Sequence, residues 1–347
     1  MKAQSFFIAV LAGTLACLGI FILLLSMVDP FFVLRGIREG ETAMFDNQRY
    51  QMAGLIRHQD YTQVVMGTSL VANYQASWFT EGTGKETLKI TFPDGWISEF
   101  DTALELAFRT HPKLDRVYFC LDPNILIRPD SQRTVELPQY LYDQNPFNDV
   151  EYLINAETYR TALRNWMAKQ SVASRPLDAA YVWDLDYTFD KETVLNGYHR
   201  PEAAGTALPR DAYLEAVDAN LDVICSWARE HPDAEFVIWF PPYSILYWDM
   251  MLREGRADAI LDAVEHAALR LMELDNVAVH CFLHATTYTA NLDFYTDHIH
   301  CSSRLTRWEA ECLMAGKWRL NGENCPLRLE ELREFIKTYD YEALLAS

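Results

Sequence analysis

The chain has 347 residues, half of them apolar, with 9 Trp, 18 Tyr and 18 Phe. That is enough to bury one large core and is not the composition of a disordered chain. The formal net charge is −19, which argues against sequence-independent nucleic-acid binding, since that needs Lys and Arg against phosphate.

In chain order, the first element is an apolar run. Residues 6–28, FFIAVLAGTLACLGIFILLLSMV, carry no charge. A bilayer core takes about 20 apolar residues as helix, so the run is long enough to span one. A cleaved secretory signal has a shorter apolar stretch, about 7–15 residues, ending at a small-x-small site. Ser26-Met27-Val28-Asp29-Pro30 offers no such site. Cys17 has Thr14 rather than Leu three residues before it, and the apolar run continues past it. Residues 1–28 therefore read as an uncleaved membrane anchor. Lys2 on one side and Arg35, Arg38 and Arg49 on the other leave its orientation undecided.

Residues 29–59 read as a juxtamembrane linker, helical over 36–58. From residue 60 the pattern changes. YTQVVMG (61–67), TLKITF (87–92), RVYFCLD (116–122), AEFVIWF (234–240) and NVAVHCFL (276–283) are short apolar runs bounded by polar or turn residues. Strands of a buried parallel sheet read this way. Helical spacing lies between them, at 97–110, 211–230 and 247–273. The alternation predicts an α/β domain over 60–347, with a doubly wound, mainly parallel five-stranded sheet in a three-layer sandwich. Residues 128–206 are too long for one crossover. They contain a helical stretch, DVEYLINAETYRTALRNWMAKQ (149–170), and an aromatic one, YVWDLDYTFD (181–190). This insertion is either a lid or substrate wall, or a packing embellishment.

Ligands of open parallel sheets bind beyond the carboxyl ends of the strands. The residues there are Gly67-Thr68-Ser69-Leu70, Pro93-Asp94-Gly95-Trp96, Asp122-Pro123-Asn124, Pro241-Pro242-Tyr243-Ser244 and, further from its strand, Asp297-His298-Ile299-His300. A Ser after a strand suits nucleophilic work but needs a base, and a His serves when a carboxylate fixes its tautomer. Asp297 and His300 sit three apart on one tight segment, so Ser69, His300 and Asp297 are the candidate catalytic unit. The Ser69 N–H, a Gly95 N–H and the Asn124 amide are the candidate oxyanion donors. No cofactor is expected for such a unit. Each motif alone also reads as ordinary turn chemistry; their joint order at strand ends is what points to catalysis.

Two enzyme alternatives are weaker. The G-x-S-x-G turn of an α/β-hydrolase would need Gly where Val71 stands. A metal site would draw on His280, His284, Asp297, His298 and His300, but His280 lies inside a strand run. Of the cysteines, Cys120, Cys225 and Cys281 sit in apolar runs and read as small buried hydrophobes. Cys301, Cys312 and Cys325 cluster near the C-terminus, where a bridge such as Cys312–Cys325 is expected if the domain lies in an oxidising compartment.

GTSL at 67–70 and DHIH at 297–300 resemble the nucleophile block and the late Asp-x-x-His of the SGNH (GDSL-like) hydrolase superfamily. Gly95 takes the place of its Gly block by position. LDPNI at 121–125 stands where its Gly-x-Asn-Asp would be and departs from it. A single anchor followed shortly by such a domain is similar to the membrane-anchored DltD-like group, whose members O-acylate envelope polymers. The resemblance implies an extracytoplasmic serine esterase or acyltransferase. Its partners would be a multispanning membrane acyltransferase and an envelope polysaccharide or teichoic acid as acceptor. A non-catalytic scaffold subunit of the same shape is the other reading.

Overall fold

The computed structural model describes residues 2–38, 40–145, 147–168 and 174–346. The last two residues of the expected 149–170 helix lie outside them. The chain forms two compact units, one of Met1–Gln59 with Leu137–Ala180, the other of Asp60–Glu136 with Tyr181–Ser347.

In the first unit, the N-terminal apolar run is one helix, Lys2–Val28. Its stretch Ala3–Val28 is long and apolar enough to cross a membrane, and its side chains are almost all exposed. The helix ends at Asp29, whose carboxylate accepts from the Val33, Leu34 and Arg35 N–H groups and from the buried Tyr152 hydroxyl. Those bonds pin the turn that follows the helix. The expected helix over 36–58 is shorter, Gln48–His58, because Asn47 caps it through the Tyr50 N–H. A two-residue antiparallel pairing joins Thr42–Ala43 to Arg175–Pro176, a contact too short to leave a period in the sequence.

The second unit carries the five-stranded parallel sheet that the strand pattern predicts. Its strands are β1 (Gln63–Gly67), β2 (Thr87–Thr91), β3 (Arg116–Cys120), β4 (Glu235–Phe240) and β5 (Val277–Cys281), in the spatial order β2-β1-β3-β4-β5. All pairs are parallel. The strands are buried on both faces, which is why they read as continuous apolar runs rather than alternating ones.

The helices follow from that order. They are α1 (Ala76–Thr83), α2 (Ile97–Thr110), α3 (Leu214–Glu230), α4 (Ile245–Arg253), α5 (Ala257–Leu271), α6 (Ser303–Met314) and α7 (Asn324–Thr338). The β1-to-β2 step runs one way across the sheet and every later step the other way. Right-handed crossovers then place α1 on one face and α2, α3 and α5 on the other. The packing agrees: α2, α3, α5 and α7 form one continuous layer, and α1 packs with α6. The single helix expected over 247–273 is two, α4 and α5. They are separated at Gly255, whose backbone is left-handed at φ +69. The strand order reverses between β1 and β3, and the crevice beyond their carboxyl ends is where such folds hold ligands.

Candidate active site

β1 delivers Ser69 to that crevice. Gly67 closes the strand under tight steric demand, because a Cβ there would lie 2.8 Å from both Cys120 Cβ and Val71 Cγ1. Ser69 then opens a single 3₁₀ turn, Ser69–Val71, capped by the Thr68 hydroxyl. The turn is held from behind by β2. The Thr91 hydroxyl donates to the Thr68 carbonyl at 3.0 Å, and the buried Lys89 ammonium donates to the Ala72 and Tyr74 carbonyls at 2.8 and 2.7 Å.

His300 arrives on a tight loop after β5. Thr296 N–H donates to the His300 carbonyl and Ser302 N–H to the Phe294 carbonyl, so Asp297–Ile299 form the tip of a small hairpin. Within it, Asp297 Oδ1 accepts from the Ile299 and His300 N–H groups, both at 2.8 Å. This leaves Oδ2 facing His300 Nδ1 at 2.6 Å. On the other side of the ring, Nε2 lies 2.8 Å from Ser69 Oγ. Burial works against ionisation of Asp297, but the His300 ring and the two N–H donors outweigh it and hold its carboxyl below the usual range. An ionised carboxylate only accepts, so Nδ1 carries the ring proton. Nε2 is then free to accept from the serine hydroxyl. Residues 231 positions apart thus meet in one hydrogen-bonded line.

The intervening His298 is directed elsewhere. Its carbonyl accepts from the Ser244 N–H and hydroxyl, and its ring lies parallel to Tyr247 at 6.4 Å. Burial lowers its basicity.

The expected oxyanion donors fare differently. The Ser69 N–H, first in its turn, meets no acceptor among the described residues. The expectation for Gly95 is corrected: its N–H donates to the Phe92 carbonyl at 3.1 Å and closes a turn. Its glycine identity answers to packing, since a Cβ would lie 2.8 and 2.9 Å from the Phe100 ring. Asn124 is fixed by a polar network. Its Nδ2 donates to the Tyr243 hydroxyl at 3.0 Å, and its Oδ1 accepts from the Tyr247 hydroxyl at 3.1 Å. One amide hydrogen is used in this way, and an amide has two. The network continues to the Ser69 turn through Asp122, a buried carboxyl that burial pushes upward. Asp122 accepts from the Tyr243 hydroxyl, from the Asn124 N–H at 2.7 Å and from the Thr68 hydroxyl at 3.1 Å.

Several of these contributors were not singled out from the sequence. Asp122 and Tyr243 stand at strand ends in the expected motifs, but nothing in the spacing pairs them. Lys89 does leave a signal, a charge inside the apolar run TLKIT. Trp183, from the aromatic stretch 181–190, lies over His300 with ring centroids 4.2 Å apart. Its segment is clipped to the segments that carry Ser69 and His300. Asn73 Oδ1 accepts from the Trp183 and Asp184 N–H groups, and the Asp184 carboxylate accepts from the Ser303 N–H. Tyr187 and Leu185 beyond it are exposed. Of the expected insertion at 128–206, residues 137–180 group with the first unit, and Trp183 and Asp184 flank the site.

The histidines offered as metal ligands are dispersed. His280 Nδ1 is bonded to the Lys317 carbonyl and His284 packs on Trp318. Among the described residues no three His, Cys, Asp or Glu side chains converge as a metal site. The expected Cys312–Cys325 bridge is likewise corrected. All seven cysteines are free thiols, and both of these are buried. Cys325 is close enough to Cys281 to raise its thiol further.

No protein-family model matches the chain, and no curated protein is significantly similar to it. A solved structure described as that of a platelet activating factor from Streptococcus pneumonia is similar over 78% of this chain and 91% of its own, at 12% identity and a TM-score of 0.40. A likeness that faint carries no argument about chemistry, which rests on the site itself.

Proposed function

We propose that this protein is a membrane-anchored serine esterase or O-acyltransferase that works through an acyl-serine intermediate. The observation that carries the proposal is the Ser69–His300–Asp297 line, with its contacts of 2.8 and 2.6 Å. His300 takes the Ser69 proton as the hydroxyl attacks an ester carbonyl, and Asp297 steadies the imidazolium that results. The Ser69 N–H and the second amide hydrogen of Asn124 receive the oxyanion. His300 then returns the proton to the leaving alcohol. Water or a sugar hydroxyl resolves the acyl-enzyme, and that choice separates esterase from transferase.

The helix Lys2–Val28 is the anchor in this reading, and the sheet-bearing unit faces away from the cytoplasm. The acceptor is an envelope polysaccharide or a teichoic-acid-type polymer, and a multispanning membrane acyltransferase is the partner that supplies acyl groups. The test is hydrolysis of a short-chain aryl ester by the full-length protein in detergent, beside Ser69→Ala. Serine-dependent turnover supports the proposal. Turnover that is unchanged in the variant, or absent from both, refutes it.

One observation favours a second reading, a non-catalytic subunit of the same shape. The Gly95 N–H is engaged in a turn, so one of the expected oxyanion donors is missing.

A further inference from the structure

A buried carboxyl lies behind the catalytic line and plays no part in the proton relay. Glu309, on α6, is 1% exposed. In SRLTRWEAECLM it is the acid on the helix's inward face. Its Oε2 accepts from the Tyr74 hydroxyl at 2.8 Å, and its Oε1 lies 3.8 Å from the Cys301 thiol. The Trp239 indole N–H faces it from β4 without reaching hydrogen-bonded geometry. None of these partners carries positive charge, and a buried carboxylate without a counter-charge is costly.

Its partners are the two catalytic segments themselves. Tyr74 ends the segment that begins with Ser69, and Cys301 follows His300 directly. Two further bonds run parallel to the Tyr74–Glu309 bond. Asn73 Nδ2 donates to the Cys301 carbonyl at 2.8 Å, and the Thr306 hydroxyl on α6 donates to the Asn73 carbonyl at 3.1 Å. Together the three bonds set the separation of nucleophile and base from behind. Glu309 is the one carboxyl among their side chains.

We propose that Glu309 is a positioning residue, a neutral latch that keeps Ser69 and His300 in register, and that ionising it loosens the pair. The inference rests on the acyl-serine reading of the same site. Burial pushes the Glu309 carboxyl up to about 8, against the pull of the Tyr74 hydroxyl and the Cys301 thiol. The other titratable groups that face it are Tyr74, Cys301, Tyr295 on the base loop, Cys120 on β3 and Cys312 on its own helix. Burial raises every one of them above its ordinary value. Glu309 is therefore the member of the cluster that ionises first as pH rises.

The test follows the rate at which a fluorophosphonate probe labels the full-length protein in detergent from about pH 6 to about pH 10. Wild-type labelling should fall about tenfold between about pH 7 and about pH 9, as a group titrating at about 8 loses its proton. Glu309→Gln still accepts from Tyr74 and cannot ionise, so it should label as wild type does near neutrality and keep that rate at high pH. Tyr74→Phe removes the latch bond and should label more slowly than wild type near neutrality, where the latch is closed. An alkaline fall that survives in Glu309→Gln overturns the proposal, as does a wild-type rate in Tyr74→Phe.

Thermal melting gives a readout independent of catalysis. The folded carboxyl is raised above its ordinary 4.5, so the stability that Glu309 contributes is full below about 4.5 and is lost as pH rises through about 8. Wild type should lose melting temperature relative to Glu309→Gln across that window, and parallel curves refute the latch. Should wild type fail to label at any pH, the acyl-serine reading falls, and the melting comparison still decides the latch.

Discussion

On one side of the Ser69 hydroxyl, His300 arrives from a distant segment at 2.8 Å, with Asp297 from its own segment 2.6 Å from the other ring nitrogen. On the other side, where an oxyanion would form, the expected donors are unevenly disposed. Among the described residues the Ser69 N–H meets no acceptor and Asn124 retains one amide hydrogen, while the Gly95 N–H is spent on Phe92. The proton-relay half depends on side-chain type and on which strand end carries it. The donor half depends on where individual N–H bonds point, which the turns around them decide. Under the proposed chemistry the relay is complete and its oxyanion hole only partly furnished, so substitutions in the two halves should differ in size.

The largest losses should come from the relay. Ser69→Ala or His300→Ala should cut ester turnover by about 10⁴-fold or more, and combining them should add little, because members of such a unit act together. A double variant with multiplied losses would show that the two do not share one step. Asp297→Asn keeps the shape but not the charge, and it should cost about 10³- to 10⁴-fold.

The donor half should respond less. Asn124→Ala should cost about 10²-fold in kcat with KM little changed, the signature of a donor used mainly in the transition state. Asn124 also holds Tyr243 and Tyr247, so a melting curve should accompany the kinetics. An Asn124→Ala protein that is stable and fully active would reduce the donor half to the Ser69 N–H alone. The smallest effect belongs to His298→Ala, within about threefold in turnover, since its ring faces Tyr247 rather than Ser69. A large loss there would mean that the base was assigned to the wrong histidine.

Much of the fold was legible in the sequence because both faces of the sheet are covered. Burial on both faces makes each strand a run such as VVMG or FVIWF, and the alternation with helices then implies the winding. The break at Gly255 was not legible, because one residue in left-handed conformation interrupts an otherwise continuous helical period. That Ser69, Asp297 and His300 meet was legible, because the topology of a parallel sheet gathers the segments beyond its strand ends into one crevice. Gly95 misled for the opposite reason: a glycine at a strand end announces backbone freedom, and here that freedom serves the close approach of the Phe100 ring. The contacts behind the relay, such as Tyr74 with Glu309, join residues 235 positions apart. No local pattern encodes them.

The central claim is that Ser69 is a nucleophile activated by His300. Its most direct test is to treat the full-length protein with a fluorophosphonate, digest it and locate the adduct by mass spectrometry, with His300→Ala treated in parallel. The account predicts a single phosphonylated residue, Ser69, in wild type and near-complete loss of the adduct in His300→Ala. An unmodified Ser69, or one labelled equally well without His300, would contradict it.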